Sequence, residues 1–394
     1  MMDLPERFSN LPVYAFPRLR NLLDAHAPGG DVVHMSIGEP KHAFPRWVSD
    51  VIAENAAGFN SYPQNEGTDA LRGAIADWFG RRYDVALDAC QNILALNGTR
   101  EGLYNAAMAL CAEKKSGQTP VILSPNPFYQ VYMVAALSIG ADPVFVSATA
   151  ATGHLPDYAS LPPEVLNRTT AAYICSPANP QGAVATRDYW ADLIGLAEQY
   201  DFRIFADECY CEIYRGVPPV GAMQVAREIG ADPERVAVFH SLSKRSNLPG
   251  LRSGFVAGGP SSIGAMKQLR SYAGAPLPGP LQAAAAAVWA DEEHVVENRS
   301  LYREKFAIAD DVLGSVQGYQ PPEAGFFLWL PVDDGEAATL RLWRETGIRV
   351  LPGAYLAQGD GAQNPGQGFI RVAMVAPKDD MQRALTILRD CLYR

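Results

Sequence analysis

At 394 residues, 48% hydrophobic and 19% charged, the chain is long enough for two domains around a large buried core and has a globular composition. Its 33 basic and 43 acidic residues leave a formal net charge of −10 with no basic block, which argues against electrostatic capture of nucleic acid or anionic lipid. A local cationic site for an anionic substrate stays open.

The start, MMDLPERFSNLPVYAF, has no basic stretch leading into an apolar one, so no secretory signal is expected. The longest apolar run, around residues 283–290, is too short to span a bilayer. Six cysteines form no CxxC pair and six histidines no HExxH, which leaves no metal case. The expectation is a cytoplasmic protein.

In chain order, an extended Pro/aromatic arm over 11–17 precedes a short helix to about residue 27. A strand over 32–37 then ends at Gly38-Glu39-Pro40. Gly38 sits where a backbone must turn or approach a ligand, and an ordinary glycine turn fits equally well. A polar turn over 60–67 carries Tyr62, and a helix begins near Thr68 with Leu71, Ile75 and Trp78 on one face.

From Ile93 strands and helices alternate. Strand Ile93–Leu96 meets the turn Asn97-Gly98-Thr99-Arg100 and a helix over 101–111. A Gly-Thr turn entering a helix offers N–H groups and a dipole to an anion, though such pairs cap many helices. A strand over 121–123, the run Pro125 to Tyr129, a helix over 131–139 and a strand over 144–146 follow. Strand Thr169–Cys175 ends in Ser176-Pro177-Ala178-Asn179-Pro180-Gln181-Gly182. A helix over 189–200 and a strand over 202–206 deliver Asp207-Glu208-Cys209-Tyr210. A carboxylate at the C-terminal end of a parallel strand is where α/β folds place ligand groups. Cys209 and Cys211 read as small buried hydrophobes rather than a disulfide or metal pair.

A strand over 236–240 delivers the polar turn Ser241-Leu242-Ser243-Lys244, then Asn247, Pro249, Gly250, Arg252 and Gly254 before a second apolar run over 255–257. The amine has Arg245 near it by sequence and Arg252 by folding. Cationic neighbours and desolvation lower an amine's pKa, which a Schiff-base lysine requires. Ser241, Ser243 and Arg252 would suit a phosphate dianion. Solvated surface cations are the plain alternative.

Residues 271–280 form a Gly/Pro-rich loop, 282–289 a helix of small residues, and Glu293–Leu313 a long helix bridging to a second domain. A strand over 326–330, a helix over 337–346, a short strand over 348–351, a Gly-rich loop over 358–367 and strand Phe369–Ala373 complete the chain. Arg371 in that apolar strand is costly unless paired, and its fork suits a carboxylate.

The string SLSKRSNLPGLRSGF, with Arg252 eight residues after Lys244, resembles the lysine box of class I/II aminotransferases, fold-type I enzymes that use pyridoxal 5′-phosphate (PLP). In its longer form it is similar to the bacterial succinyldiaminopimelate aminotransferases. Tyr62-Pro63, the N-P-x-G of Asn179 to Gly182, Asp207 with Tyr210, and Arg371 follow the family's order. The resemblance implies an α/β fold-type I PLP-transferase, with a large domain around a mostly parallel seven-stranded sheet and a smaller α+β domain. It implies residues 1–43 as N-terminal arm and part of the small domain, 44–290 as large PLP-binding domain, and 291–394 as C-terminal small domain.

Residue by residue, the resemblance makes Lys244 the catalytic lysine that holds PLP and shuttles a proton. Asp207 keeps the ring nitrogen protonated, Asn179 and Tyr210 hydrogen-bond the phenolic oxygen, and Tyr129 stacks on the ring. Gly98, Thr99, Arg100, Ser241, Ser243 and Arg252 surround the phosphate, with Tyr62 reaching it from the other subunit of a homodimer. Gly38, Asn179 and Arg371 face the substrate, with Arg371 on the α-carboxylate. The implied reaction is amino transfer between N-succinyl-LL-2,6-diaminopimelate and 2-oxoglutarate, with glutamate as product, in lysine and diaminopimelate biosynthesis. Arg18 and Arg270 are the cations expected near the mouth. An aminotransferase for another amino acid, or a PLP-dependent C–S lyase, uses the same scaffold. A cofactor-responsive regulator would need a DNA-binding module, and the chain starts almost directly with the aminotransferase arm.

Overall fold

The computed structural model describes residues 6–9 and 11–394; residues 1–5 and 10, where part of the signal reading falls, lie outside the described residues. After the arm come α1 (Ala15–Leu23), β1 (Val33–His34), α2 (Trp47–Glu54) and α3 (Asp69–Tyr83). Thr68 caps α3 by accepting the Leu71 N–H at 3.2 Å, which fixes the start read from the sequence.

The alternating part follows as β2 (Ile93–Leu96), α4 (Thr99–Leu110), β3 (Val121–Asn126), α5 (Gln130–Ser138), β4 (Asp142–Ser147), α6 (Pro163–Leu166) and β5 (Thr169–Cys175). It continues through α7 (Arg187–Gln199), β6 (Arg203–Asp207), α8 (Ala222–Glu228), β7 (Val236–Ser241), the single helical turn α9 (Leu242–Arg245) and β8 (Gly254–Ala257). Helices α10 (Pro260–Ala273), α11 (Gly279–Ala290) and α12 (Glu293–Leu313) lead to β9 (Phe327–Pro331), α13 (Gly335–Thr346), β10 (Ile348–Arg349), β11 (Leu351–Pro352), β12 (Phe369–Ala373) and α14 (Lys378–Leu392).

Seven strands form one sheet in the order β2-β8-β7-β6-β5-β3-β4, parallel throughout except for β8, which is antiparallel to both neighbours. Every residue of β5 and β7 is buried, because helices cover both faces. Alternation along the strands sorts side chains into two cores. Ile204, Ala206 and Val238 join Trp78, Phe79, Phe255 and Trp289 on one face. Phe205 and Phe239 join Tyr132, Tyr173 and Leu103 on the other. The fold is therefore α/β around a mostly parallel seven-stranded sheet.

A second, three-stranded antiparallel sheet runs β11-β12-β9 and packs with α12 and α14 around a separate core that includes Phe326, Leu328, Val372 and Leu385. The expected strand over 32–37 shrinks to Val33–His34, paired in parallel with β10. Its continuation leaves the pairing so that Ser36 and Gly38 present carbonyls to side chains of the cleft. The short strand expected over 348–351 splits into β10 and β11, which belong to different sheets. Residues 271–273, expected in the Gly/Pro loop, complete α10. Helices α2, α8, α10 and α14 form where the sequence pattern had suggested no element, each supported by packing against elements distant in the chain. No helix among the described residues is long and apolar enough to cross a membrane.

Candidate active site

A cleft of about 270 Å³ opens where the C-terminal ends of the parallel strands meet the smaller sheet. Ligands of open α/β sheets bind at this edge. Gly38, Thr99, Arg100, Tyr129, Asn179, Asp207, Tyr210, Ser241, Ser243, Lys244, Arg252 and Arg371 all line it. Gly98 and Tyr62 do not: Gly98 lies against the Arg252 guanidinium, and the Tyr62 side chain is fully exposed on this chain.

The expected polar turn at Lys244 is a turn of helix. The Ser241 hydroxyl oxygen accepts the Ser243 N–H at 3.1 Å and caps it, while its own proton goes to Ser243 Oγ at 2.9 Å or Ser253 O at 3.2 Å. Lys244 Nζ donates to the Gly38 carbonyl. Burial lowers the Lys244 pKa to about 8; the Arg371 charge acts in the same direction, while Cys209, Glu39 and Asp207 oppose it. The neighbouring cation is thus Arg371, from the other sheet. Arg245, which the sequence placed beside the amine, instead pairs with Glu292 at 2.9 Å and bonds the Val288 and Asp291 carbonyls. Arg252 also turns away, donating to Asn97 O at 3.1 Å and Pro249 O at 2.8 Å.

These donors build an anion cradle. Gly98 has φ +84, and a Cβ placed there would lie 2.2 Å from Arg252 Nη2, so only glycine lets the guanidinium approach. The 12-residue α4 begins at Thr99 and points its unsatisfied N–H groups and dipole toward the same place. With the hydroxyls of Ser241 and Ser243, this donor set matches a phosphate dianion.

Across the cleft, Asp207 at the end of β6 accepts the Tyr132 hydroxyl at 3.0 Å and the Cys209 N–H at 3.4 Å. Burial raises its pKa, while these hydrogen bonds and the charge of His240 pull it back. A cationic ring nitrogen beside it would favour the ionised form further. Tyr210 is buried edge-on against Phe326 and Phe327, at centroid separations of 5.4 and 5.8 Å.

Arg371 donates to Asn179 Oδ1 at 2.9 Å and Ser36 O at 2.7 Å, with its guanidinium 4.3 Å from the Phe327 ring centroid. Its Nε is buried without a hydrogen-bond partner, and burial lowers its pKa to about 10. A carboxylate ligand would relieve both conditions.

Two contributors carried no sequence signal. Tyr132, which holds Asp207, is itself stacked on Tyr173 at 4.4 Å. Asn298 of α12 donates to Lys244 O at 3.3 Å and Arg245 O at 3.2 Å, while its Oδ1 lies 3.0 Å from both Asn247 Nδ2 and His42 Nδ1. A lone asparagine in a long helix does not announce that role.

Neither cation expected at the mouth lines the cleft. Arg270 is buried and structural, bound to Glu101 at 2.6 Å and to the Asn65 and Ala95 carbonyls at 2.7 and 2.8 Å. Arg18 pairs with Glu336 at 3.0 Å and lies 3.8 Å from the Tyr355 ring centroid.

Residues 30–388 match the family model described as aminotransferase class I and II. An LL-diaminopimelate aminotransferase from Desulforudis audaxviator (strain MP104C) is 32% identical over 401 residues, covering 99% of this chain and 98% of that protein. The crystal structure of an aminotransferase from Neisseria meningitidis Z2491 superposes with a TM-score of 0.94 at 38% identity, covering 99% of this chain and all of that one (100%). An aminotransferase structure from Helicobacter pylori 26695 has a TM-score of 0.89 at 31% identity, covering 99% of each chain.

Proposed function

The chain belongs to the class I and II aminotransferases, which use PLP, and on that premise we propose that it transfers an amino group between N-succinyl-LL-2,6-diaminopimelate and 2-oxoglutarate. The observation that carries this reading is the charge of the cleft. Among the described residues lining it, Lys244, Arg100, Arg252 and Arg371 are cationic and Asp207 is the one carboxylate. Succinylation replaces a distal ammonium with an acyl group ending in a carboxylate, and such a side chain suits this surplus of positive charge. The second reading is free LL-diaminopimelate, favoured by the name of the Desulforudis relative. Its distal ammonium would need an acid, and the one carboxylate lining the cleft, Asp207, is assigned in this reading to the ring nitrogen.

In the proposed mechanism Gly98, Thr99, Ser241, Ser243 and Arg252 would hold the PLP phosphate, and Asp207, steadied by Tyr132, would face the ring nitrogen. Tyr129 would pack against the ring, and Asn179 and Tyr210 would hold the phenolic oxygen. Bound PLP supplies the electron sink that lets an amino acid lose its Cα proton. Arg371 and Asn179 grip the α-carboxylate and turn the Cα–H bond toward Lys244. The Lys244 amine, with its pKa near 8, binds the cofactor and moves that proton at a pH where both protonation states are populated. Phe327, which lines the cleft, gives it an apolar wall.

The proposal extends to organisation. The division at 1–43, 44–290 and 291–394 is supported by β1 joining β10 and by the separate core of the smaller sheet. A homodimer in which Tyr62 reaches the phosphate of the other subunit is supported by the complete exposure of that side chain. Six unpaired cysteines fit a reducing compartment, and the proposed location is the cytoplasm.

The test is a donor panel with 2-oxoglutarate. The succinylated substrate should give the highest kcat/KM, and borohydride should fix the pyridoxyl group on Lys244. A preference for free LL-diaminopimelate would select the second reading. Pyruvate and ammonia released from cystathionine without an acceptor would show a C–S lyase instead.

A further inference from the structure

Two seams join the smaller sheet to the larger one, and they are built to different strengths. Behind β5 and β6, Gly182 O accepts the N–H groups of Glu323 and Ala324 at 3.1 Å each, and Ile213 O accepts that of Gly325 at 2.7 Å. Two ion pairs reinforce this seam, Arg299 with Glu212 at 2.6 Å and the Arg215 fork on Asp310, whose Nη2 meets Oδ1 at 2.9 Å. The joint at the end of β3 is slighter. Among the described residues, three hydrogen bonds tie it to the loop that follows β11. Phe128 N–H donates to Leu356 O at 2.9 Å, Asn126 Nδ2 to Gln358 O at 3.0 Å, and Gln358 N–H to Asn126 Oδ1 at 2.9 Å. Within itself the loop is held by Asn364, whose Nδ2 donates to Ala354 O at 3.3 Å and Gly359 O at 3.2 Å.

We infer that Asn126 is a positioning residue whose side chain clasps the backbone of Gln358 and so sets how closely Leu356 approaches Phe128 and Tyr129. These three side chains line the cleft, so the clasp governs how firmly the cleft holds its substrate. The inference rests on the aminotransferase reading and is independent of which side chain the enzyme prefers. Strand β3 is buried throughout and paired on both sides, so Asn126 stands on a fixed post. A carboxamide carries a donor and an acceptor in one plane, and here both meet the backbone of one residue. Asn126 is buried, so opening the clasp strips partners from a desolvated amide. The net value of two such bonds favours the closed arrangement about tenfold, which passes directly into the affinity for a ligand that the closed cleft holds.

The experiment follows dissociation of 2-methylglutamate from the holoenzyme by cofactor absorbance; this analogue has no Cα proton to lose and stays unreacted. Asn126→Ala and Gln358→Pro break the clasp from its two ends. Each should raise the off-rate about tenfold while the on-rate stays within about threefold. KM for glutamate should rise by a similar factor with kcat within about twofold, the pattern of lost uniform binding. Gln358→Ala keeps both backbone bonds and should match the wild type within about twofold. Because Gln358 is exposed, Gln358→Pro decides the matter even where Asn126→Ala fails to fold. An unchanged off-rate in Gln358→Pro overturns the inference. So does an equal rise in Gln358→Ala, since that assigns the effect to the glutamine side chain. A wild type that binds the analogue yet transfers no amino group from any donor defeats the aminotransferase reading alone, and the off-rates still decide the clasp.

Discussion

The ends of β6 and β7 carry two ionic clusters that differ by one residue in sequence and by a whole face of the sheet in space. On the cleft side, Asp207 meets Tyr132, and the chain after Ser241 brings Lys244. On the opposite side, Glu208 lies 3.3 Å from His240, accepts the Tyr83 hydroxyl at 3.1 Å and the Ala222 N–H at 2.8 Å, and Cys211 Sγ sits 3.6 Å from His240. His240 is walled in by Trp78 and Phe255 at centroid distances of 5.0 and 5.2 Å. Both clusters contain groups able to do acid–base chemistry. The cleft-side cluster has room for a ligand, while the sealed one has its groups engaged with one another. The comparison separates reactive charge from structural charge, and substitutions should separate them too.

Lys244→Ala should have the largest effect, lowering amino transfer by about three orders of magnitude or more while leaving the melting temperature close to wild type. Activity above a tenth of wild type would erase the distinction between the faces. Glu208→Gln should do the reverse. Breaking a buried pair typically costs about 3–5 kcal/mol, so chemical denaturation should show a large loss, while kcat stays within about tenfold. A variant with normal stability and no turnover would place Glu208 in the chemistry.

The sealed pair also has a pH signature. Burial opposes the charge on His240, but Cys211 and Glu208 outweigh it and raise the pKa from 6.5 to about 9. A raised folded-state pKa means that the pair's stabilisation is complete below about pH 6.5 and is lost as pH rises through about 9. Unfolding of the wild type at pH 6.5, 8 and 9.5 should show this decline, and His240→Phe should flatten it. Equal slopes in the two proteins would contradict the pairing.

Arg371→Lys tests the cleft side more finely. It keeps the charge and loses the fork, so kcat/KM should drop about 100-fold for glutamate and succinyldiaminopimelate alike. Loss for one donor alone would mean that Arg371 reads the side chain. Asn298→Ala should give the smallest change, a decrease in kcat of about fivefold, because it frees the carbonyls of Lys244 and Arg245 without touching the amine. The pH midpoint for borohydride-fixable PLP should move with it. An unchanged midpoint and kcat would reduce Asn298 to a packing role.

Strands Ile93–Leu96, Thr169–Cys175 and Phe369–Ala373 and helix Glu293–Leu313 were legible because each is bounded by turn residues and has a mostly apolar run or a helical period. The strand ends followed, and with them Asp207 and Lys244, while Arg371 stood out as the one charge inside its strand. Less legible were segments whose structure depends on distant partners, such as β1, which needs β10, and the small-residue stretch that becomes α10. The cations were the hardest to place. Arg245, Arg252, Arg270 and Arg100 all lie near turn or helix residues in sequence, and nothing local separates Arg245 and Arg270, which are buried, from Arg100 and Arg252, which are exposed and line the cleft.

By itself, then, the sequence determined the alternating architecture, the family and the residues delivered to the ends of the strands. Backbone geometry repeats every two or 3.6 residues, so these features are written within short windows. Tertiary structure decided which face each charge occupies and which charges meet. Lys244 finds the carbonyl of Gly38 across 206 residues, and Arg371 finds Asn179 across 192. Contacts of that span depend on how two sheets pack, and long flexible side chains settle on whichever partners the packing leaves within reach.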